Sequence, residues 1–136
     1  MENKRNLELE WSILQPSADQ YEHKALSIKL VSLVIVAAAL AVSADGSICM
    51  LLILAFWMTE SVYKTFQFRI FERLEKIESA IAGNATDATA FQFNVECSKS
   101  RGGLKGVLGE YLRSALRPTV AITYLALIGI VFIAMI

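Results

Sequence analysis

Two charges stand inside or beside long apolar blocks. Lys29 lies within the block running from Leu26 to Ala44, and Glu60 lies near the end of the block from Ile48 to Tyr63. An ionisable side chain in hydrocarbon is costly, and where one occurs it commonly serves an ion pathway, a proton relay or a counter-ion. Counted back from the Asp45-Gly46 turn, each lies about fifteen residues away, so an antiparallel hairpin carries ammonium and carboxylate to the same depth. The plainer reading is structural. Near a membrane boundary Lys29 snorkels and Glu60 reaches water, and a structural pair is preferred here to an ion pathway.

The remaining polar chemistry is sparse. His23 has no second histidine or acidic cluster at metal-ligand spacing, so no metal site is expected. Cys49 and Cys97 read as small apolar fillers on opposite sides of a membrane and not as a disulfide. Gly102-Gly103-Leu104-Lys105-Gly106 lacks the GxxxxGK[ST] spacing of a phosphate loop and reads as a hinge. Asn84-Ala85-Thr86 fits a glycosylation sequon, but on a cytoplasmic segment it stays unmodified. No Ser-His-Asp, Cys-His or paired-carboxylate arrangement is visible, so neither an enzyme nor a bound cofactor is expected.

The elements that would position Lys29 and Glu60 follow from where the apolar residues fall. The chain has 136 residues, 55% of them hydrophobic, and they are gathered in blocks where a soluble domain would spread them periodically. None of the thirteen Lys and Arg residues falls in the connection Ser43-Ala44-Asp45-Gly46-Ser47. Loops rich in Lys and Arg stay on the cytoplasmic side. The N-terminus and the segment from Lys64 to Arg117 are therefore expected inside, and the Asp45 loop and Ile136 outside. About twenty-five mostly polar residues precede the first block, which argues against a secretory signal.

Residues 1–16 read as a cytoplasmic strand segment, in which Asn6 to Gln15 alternate with Leu7, Leu9, Trp11 and Ile13 on one side. Residues 17–44 read as the first transmembrane helix, with Ser17 as its N-cap. Residues 47–82 read as a second transmembrane helix that continues into the cytoplasm, where Phe66, Ile70, Leu74, Ile77 and Ile81 form an apolar seam open to a partner or a second copy. Residues 83–103 hold a second alternating stretch, Phe91, Phe93 and Val95, and a linker; the two strands invite pairing, within the chain or between subunits. Residues 104–117 read as an amphipathic helix on the membrane surface, with Lys105, Arg113 and Arg117 as interface basic residues. Residues 118–136 carry no charge and read as a third span. Arg69, Arg73, Lys76, Lys99, Arg101 and Lys105 are placed to attract anionic headgroups, a nucleotide or an acidic partner.

The expected fold is thus mainly α and membrane-embedded: three transmembrane helices, N-terminus in and C-terminus out, with a small cytoplasmic α+β part containing two short strands. Phe56-Trp57-Met58-Thr59-Glu60-Ser61-Val62-Tyr63, followed by Phe68-Arg69-Ile70-Phe71, resembles a pattern in small bacterial multi-pass membrane proteins of the antiphage-defence effector type. The resemblance covers roughly residues 25 to 81 and implies no catalytic residues. It implies a location in the bacterial inner membrane and a non-enzymatic effector or pore that perturbs the membrane on a cytoplasmic trigger; three thin spans, two unpaired strands and the long seam add the expectation of a homo-oligomer. The rival expectation is a membrane anchor or scaffold that recruits a soluble cytoplasmic protein encoded nearby. In both, the bilayer is the principal partner and nucleic acid is not one.

Overall fold

The structure, a computed structural model, describes residues 2–83, 88–100 and 103–136. The sequon at Asn84, Ala85 and Thr86, the arginine at 101, the glycine at 102 and the side chain of Lys99 lie outside that description. Among the described residues five helices follow one another: α1 Glu2–Ala41, α2 Gly46–Ile81, α3 Phe93–Ser100, α4 Gly103–Ala115 and α5 Pro118–Ala134. At 1.5 Å per residue α1 is about 60 Å long and α2 about 54 Å. They form an antiparallel hairpin. The residue numbers of three side-chain pairs, Lys29–Glu60, Glu22–Gln67 and Trp11–Glu78, add to the same total, so the hairpin keeps one register along its length.

No strand occurs among the described residues, and this corrects the α+β expectation. Leu7, Leu9, Trp11 and Ile13 are all helical, in α1. Their alternation coexists with a second pattern. Leu7, Trp11, Leu14, Ala18, Tyr21 and Ala25 recur at spacings of four and three, the heptad of a packed helix pair. Leu7, Ala18 and Ala25 are buried on that stripe, while Leu9 and Ile13 face outward. The heptad wins because α2 lies alongside to receive it. Ser17 accordingly caps nothing; its hydroxyl donates to the Ile13 carbonyl 3.0 Å away within α1, and Pro16 stands in the helix interior. The second proposed strand is also absent. Phe91 has left-handed backbone (φ 62°), and Phe93 and Val95 lie in α3.

The turn between α1 and α2 explains itself atom by atom. Ser43 takes φ 54°, its N–H donates to the Leu40 carbonyl at 3.0 Å, and the Ala44 N–H reaches back to Ala39 at 2.9 Å. That is a Schellman termination. The Asp45 carboxylate then caps α2, accepting from the Ser47 N–H at 2.8 Å. Met135, just beyond α5, packs over Gly46 so closely that a β-carbon there would strike its sulfur. The end of α5 therefore rests on this turn.

Two cores result. At the turn end Val36 of α1, Cys49 and Ile53 of α2, and Val120, Tyr124, Leu127 and Val131 of α5 pack together. At the polar end Ala18, Ile70 and Leu74 are buried with Trp11, Leu14, Tyr21 and Phe93 around them. Outside the turn-end core the helices expose Leu30, Val34, Leu51, Leu54, Ile122 and Phe132. Apolar residues inside and outside alike mark helices suited to lipid. By length and composition α1 and α2 each suffice to cross a membrane. The third expected span does not stand alone: α5 qualifies only jointly with α4, and the two are bent by 71°.

Candidate functional site

The polar centre of the turn-end half is built by all three long elements. α1 supplies Lys29, α2 supplies Glu60, and α5 supplies Tyr124 and the Thr119 carbonyl. Lys29 Nζ stands 3.2 Å from Glu60 Oε1 and donates to the Thr119 carbonyl at 2.8 Å. The Tyr124 hydroxyl donates to Glu60 Oε2 at 2.8 Å. Glu60 is fully buried, whereas Lys29 keeps 21% of its side chain exposed. Glu60 Oε1 accepts no well-directed hydrogen bond, so charge attraction to Lys29 holds that oxygen. Removing one partner of a buried pair costs more than the pair itself contributes.

Aromatic packing fixes this centre in place. Trp57 stacks on Tyr124 with ring centres 5.7 Å apart. Its indole N–H donates to the Ala115 carbonyl at 3.1 Å, satisfying a carbonyl in the last turn of α4 that the helix leaves free. Below it the Thr65 and Ser114 hydroxyls meet at 2.8 Å, and Arg69 binds Glu110 at 2.5 Å. α4 is thus pinned to α2 along one edge.

A second ionic centre sits at the polar end. The Arg73 guanidinium grips both oxygens of Glu10, each at 2.9 Å, and donates to Glu96 at 2.8 Å and to the Thr89 carbonyl at 2.7 Å. Glu10 also accepts from the Phe91 N–H at 2.7 Å, and Lys76 reaches Glu96 at 3.1 Å. The bidentate bond to Glu10 is the chief reason the Arg73 pKa is raised above its ordinary value. One cation therefore ties α1, α2, α3 and the segment before α3 together.

The residues singled out from the sequence fall into three groups. The structure brings Lys29 and Glu60 together at the depth that counting from the turn predicts. The seam is closed within the chain: Ile70, Leu74 and Ile77 are buried, Phe66 stacks with Tyr21 at 6.2 Å, and Ile81 lines an open pocket with Trp11, Glu8, Glu78 and Ala82. The first half of α1, helical and not extended, supplies the partner the seam lacked. Of the basic residues, Arg69, Arg73 and Lys76 are internally paired. Lys105 and Arg113 are exposed, and the Arg117 guanidinium lies 4.3 Å from the centre of the Phe68 ring. Cys49 is buried in the turn-end core and no disulfide joins it to Cys97. Among the described residues no cluster of His, Cys, Asp or Glu could hold a metal.

Tyr124, Glu10 and Glu96 escaped sequence reasoning: Tyr124 is one of few polar side chains in an uncharged block, and Glu10 and Glu96 fall in the segments expected to be strands. Comparison with protein-family models, curated proteins and solved structures gives no match, so the two ionic centres have to be understood from their own geometry.

Proposed function

We propose that the chain is a non-enzymatic, homo-oligomeric protein of the bacterial inner membrane, with its polar end cytoplasmic, that perturbs the membrane when a cytoplasmic trigger acts on that end. The observation that carries this reading is the continuity of α1 and α2 between the two ionic centres. A ligand or partner that competes for Arg73, Glu10 or Glu96 frees α3 and the polar end of the hairpin. α2 runs uninterrupted between the two centres and is stiff, so displacement there is carried along it to Glu60 and its partners Lys29 and Tyr124. Opening that pair exposes two charges to the bilayer interior, a state that favours entry of water or rearrangement between subunits. Ala37, Ala38 and Ala41 present small, outward side chains on α1, where a neighbouring helix can approach closely.

The test is membrane potential, read with a potential-sensitive dye during induced expression. Arg73→Ala, which removes the cytoplasmic tie, is expected to depolarise cells without a trigger. Unchanged potential in both the variant and the triggered wild type, with normal insertion, would sink the effector reading. Native mass in nanodiscs adds the assembly state, for which a discrete ring-sized oligomer is expected. A second reading, an anchor for a soluble partner, is favoured by exposed Leu9, Ile13, Phe91 and Val95 at the polar end. Recovery of one stoichiometric soluble protein with a monomeric chain would select it.

A further inference from the structure

α4 and the residue that follows it expose a stripe that their own chain does not cover. Leu104, Leu108, Leu112 and Leu116 recur every four residues and are 92%, 54%, 53% and 72% exposed. Glu110 and Ser114, the residues that hold α4 to α2, project from the roughly opposite side at 100° per residue. The helix is intrinsically weak: Gly106 and Gly109 lie in its interior, and neither glycine is demanded by a close neighbour. Each costs roughly 1 kcal/mol relative to alanine. Such a helix needs apolar cover on both faces, and α2 provides only one.

We propose that the bilayer surface provides the other: α4 is a lipid-binding helix whose leucine stripe enters the headgroup–acyl boundary, with Lys105, Arg113 and Arg117 meeting anionic headgroups. Only Leu116 and Arg117 separate α4 from α5, so the stripe starts where α5 leaves the membrane. The 71° bend turns α4 well away from the α5 axis, so with α5 crossing close to the normal α4 runs close to the membrane plane. Lys105 and Arg113 are exposed on the same helix, the composition of an interfacial anchor on an anionic leaflet. The inference rests on α5 lying in the bilayer and is independent of effector activity.

The experiment places a bimane label at Leu108→Cys or Leu112→Cys in a Cys49→Ala/Cys97→Ala background of the full chain. Ile122→Cys on α5 and Glu75→Cys at the polar end serve as controls. The labelled protein is held in phosphatidylcholine–phosphatidylglycerol nanodiscs with brominated acyl chains. Emission at 108 and 112 is expected to fall at least about twofold, as at 122, and to resist aqueous iodide, as buried interfacial positions do. Quenching of 108 and 112 by iodide overturns the proposal by placing α4 in water. Protection from both quenchers also overturns it, because a second copy or another protein then covers the stripe. Loss of lipid quenching at 122 would instead remove the membrane-spanning reading on which it rests. Quenching as strong in pure phosphatidylcholine would overturn the headgroup role given to the three basic residues.

Discussion

Glu60 is the residue whose environment leaves least room for change. Its carboxylate is fully buried between an ammonium that touches one oxygen and a phenol that touches the other. Lys29→Met leaves that charge without its counter-ion and is expected to destabilise the protein by about 3–5 kcal/mol. Lys29→Met with Glu60→Leu removes both charges and is expected to recover most of that loss, read by reversible unfolding in nanodiscs. Equal losses in the single and double variants would show that the pair does not act as a unit. Tyr124→Phe deletes one bond to a charged acceptor and costs about 1.5–3 kcal/mol. In a Trp11→Phe background it also shifts Trp57 emission, since the indole stacks on that ring. Asp45 gives the pH dependence. Bonds from the Ser47 hydroxyl and then the Ser47 amide hold its carboxyl below the ordinary carboxylate value. A depressed folded pKa means the cap contributes fully above about pH 4 and is lost as pH falls further. The protection factors of the Ser47 and Ile48 amides, exchange rates corrected for the intrinsic pH dependence, are expected to fall below that pH in the wild type, and to show no such step in Asp45→Ala.

Among the elements, α3 depends most on a single side chain. Arg73 makes a planar fork to Glu10 while also holding Glu96 and the Thr89 carbonyl. Lysine keeps the charge but cannot reproduce that geometry, so Arg73→Lys is expected to cost about 1.5–3 kcal/mol. Exchange protection should fall across Phe93–Ser100 while α5 is unaffected; uniform loss along the chain would contradict a local tie. The elements also show where sequence reasoning reached and where it stopped. The α2 boundaries came within a residue or so, because Asp45 and the end of the seam are local signals. The equal depth of Lys29 and Glu60 followed from counting residues either side of one short turn. The first sixteen residues did not yield, because four alternating apolar residues satisfy a strand period while a longer heptad runs through the same segment. Choosing between them requires knowing that α2 continues far enough to receive the heptad. Glu10 was lost with that choice, and the Arg73 centre with Glu10. Tyr124 stayed hidden for a different reason: its partner comes from a helix three elements away, and nothing in residues 118–136 fixes their rotation toward Glu60.

For the molecule as a whole, the long hairpin keeps one register from Trp11–Glu78 to Lys29–Glu60, yet its two rods are not alike. Between the ionic centres α2 is uninterrupted from Glu60 to Arg73, while α1 carries Pro16 between Glu10 and Lys29. Proline has no N–H to give to the Ser12 carbonyl and crowds the preceding turn, at a cost of about 3 kcal/mol in a helix interior. One rod is therefore stiff and the other has a joint. A push on the polar end is expected to flex α1 at that joint before it strains α2. Pro16→Ala would remove the joint. It is expected to raise stability and, in the dye assay, to demand a stronger trigger for the same depolarisation. Compliance at one residue would then set the threshold of the hairpin's response, much as a notch sets where a beam yields.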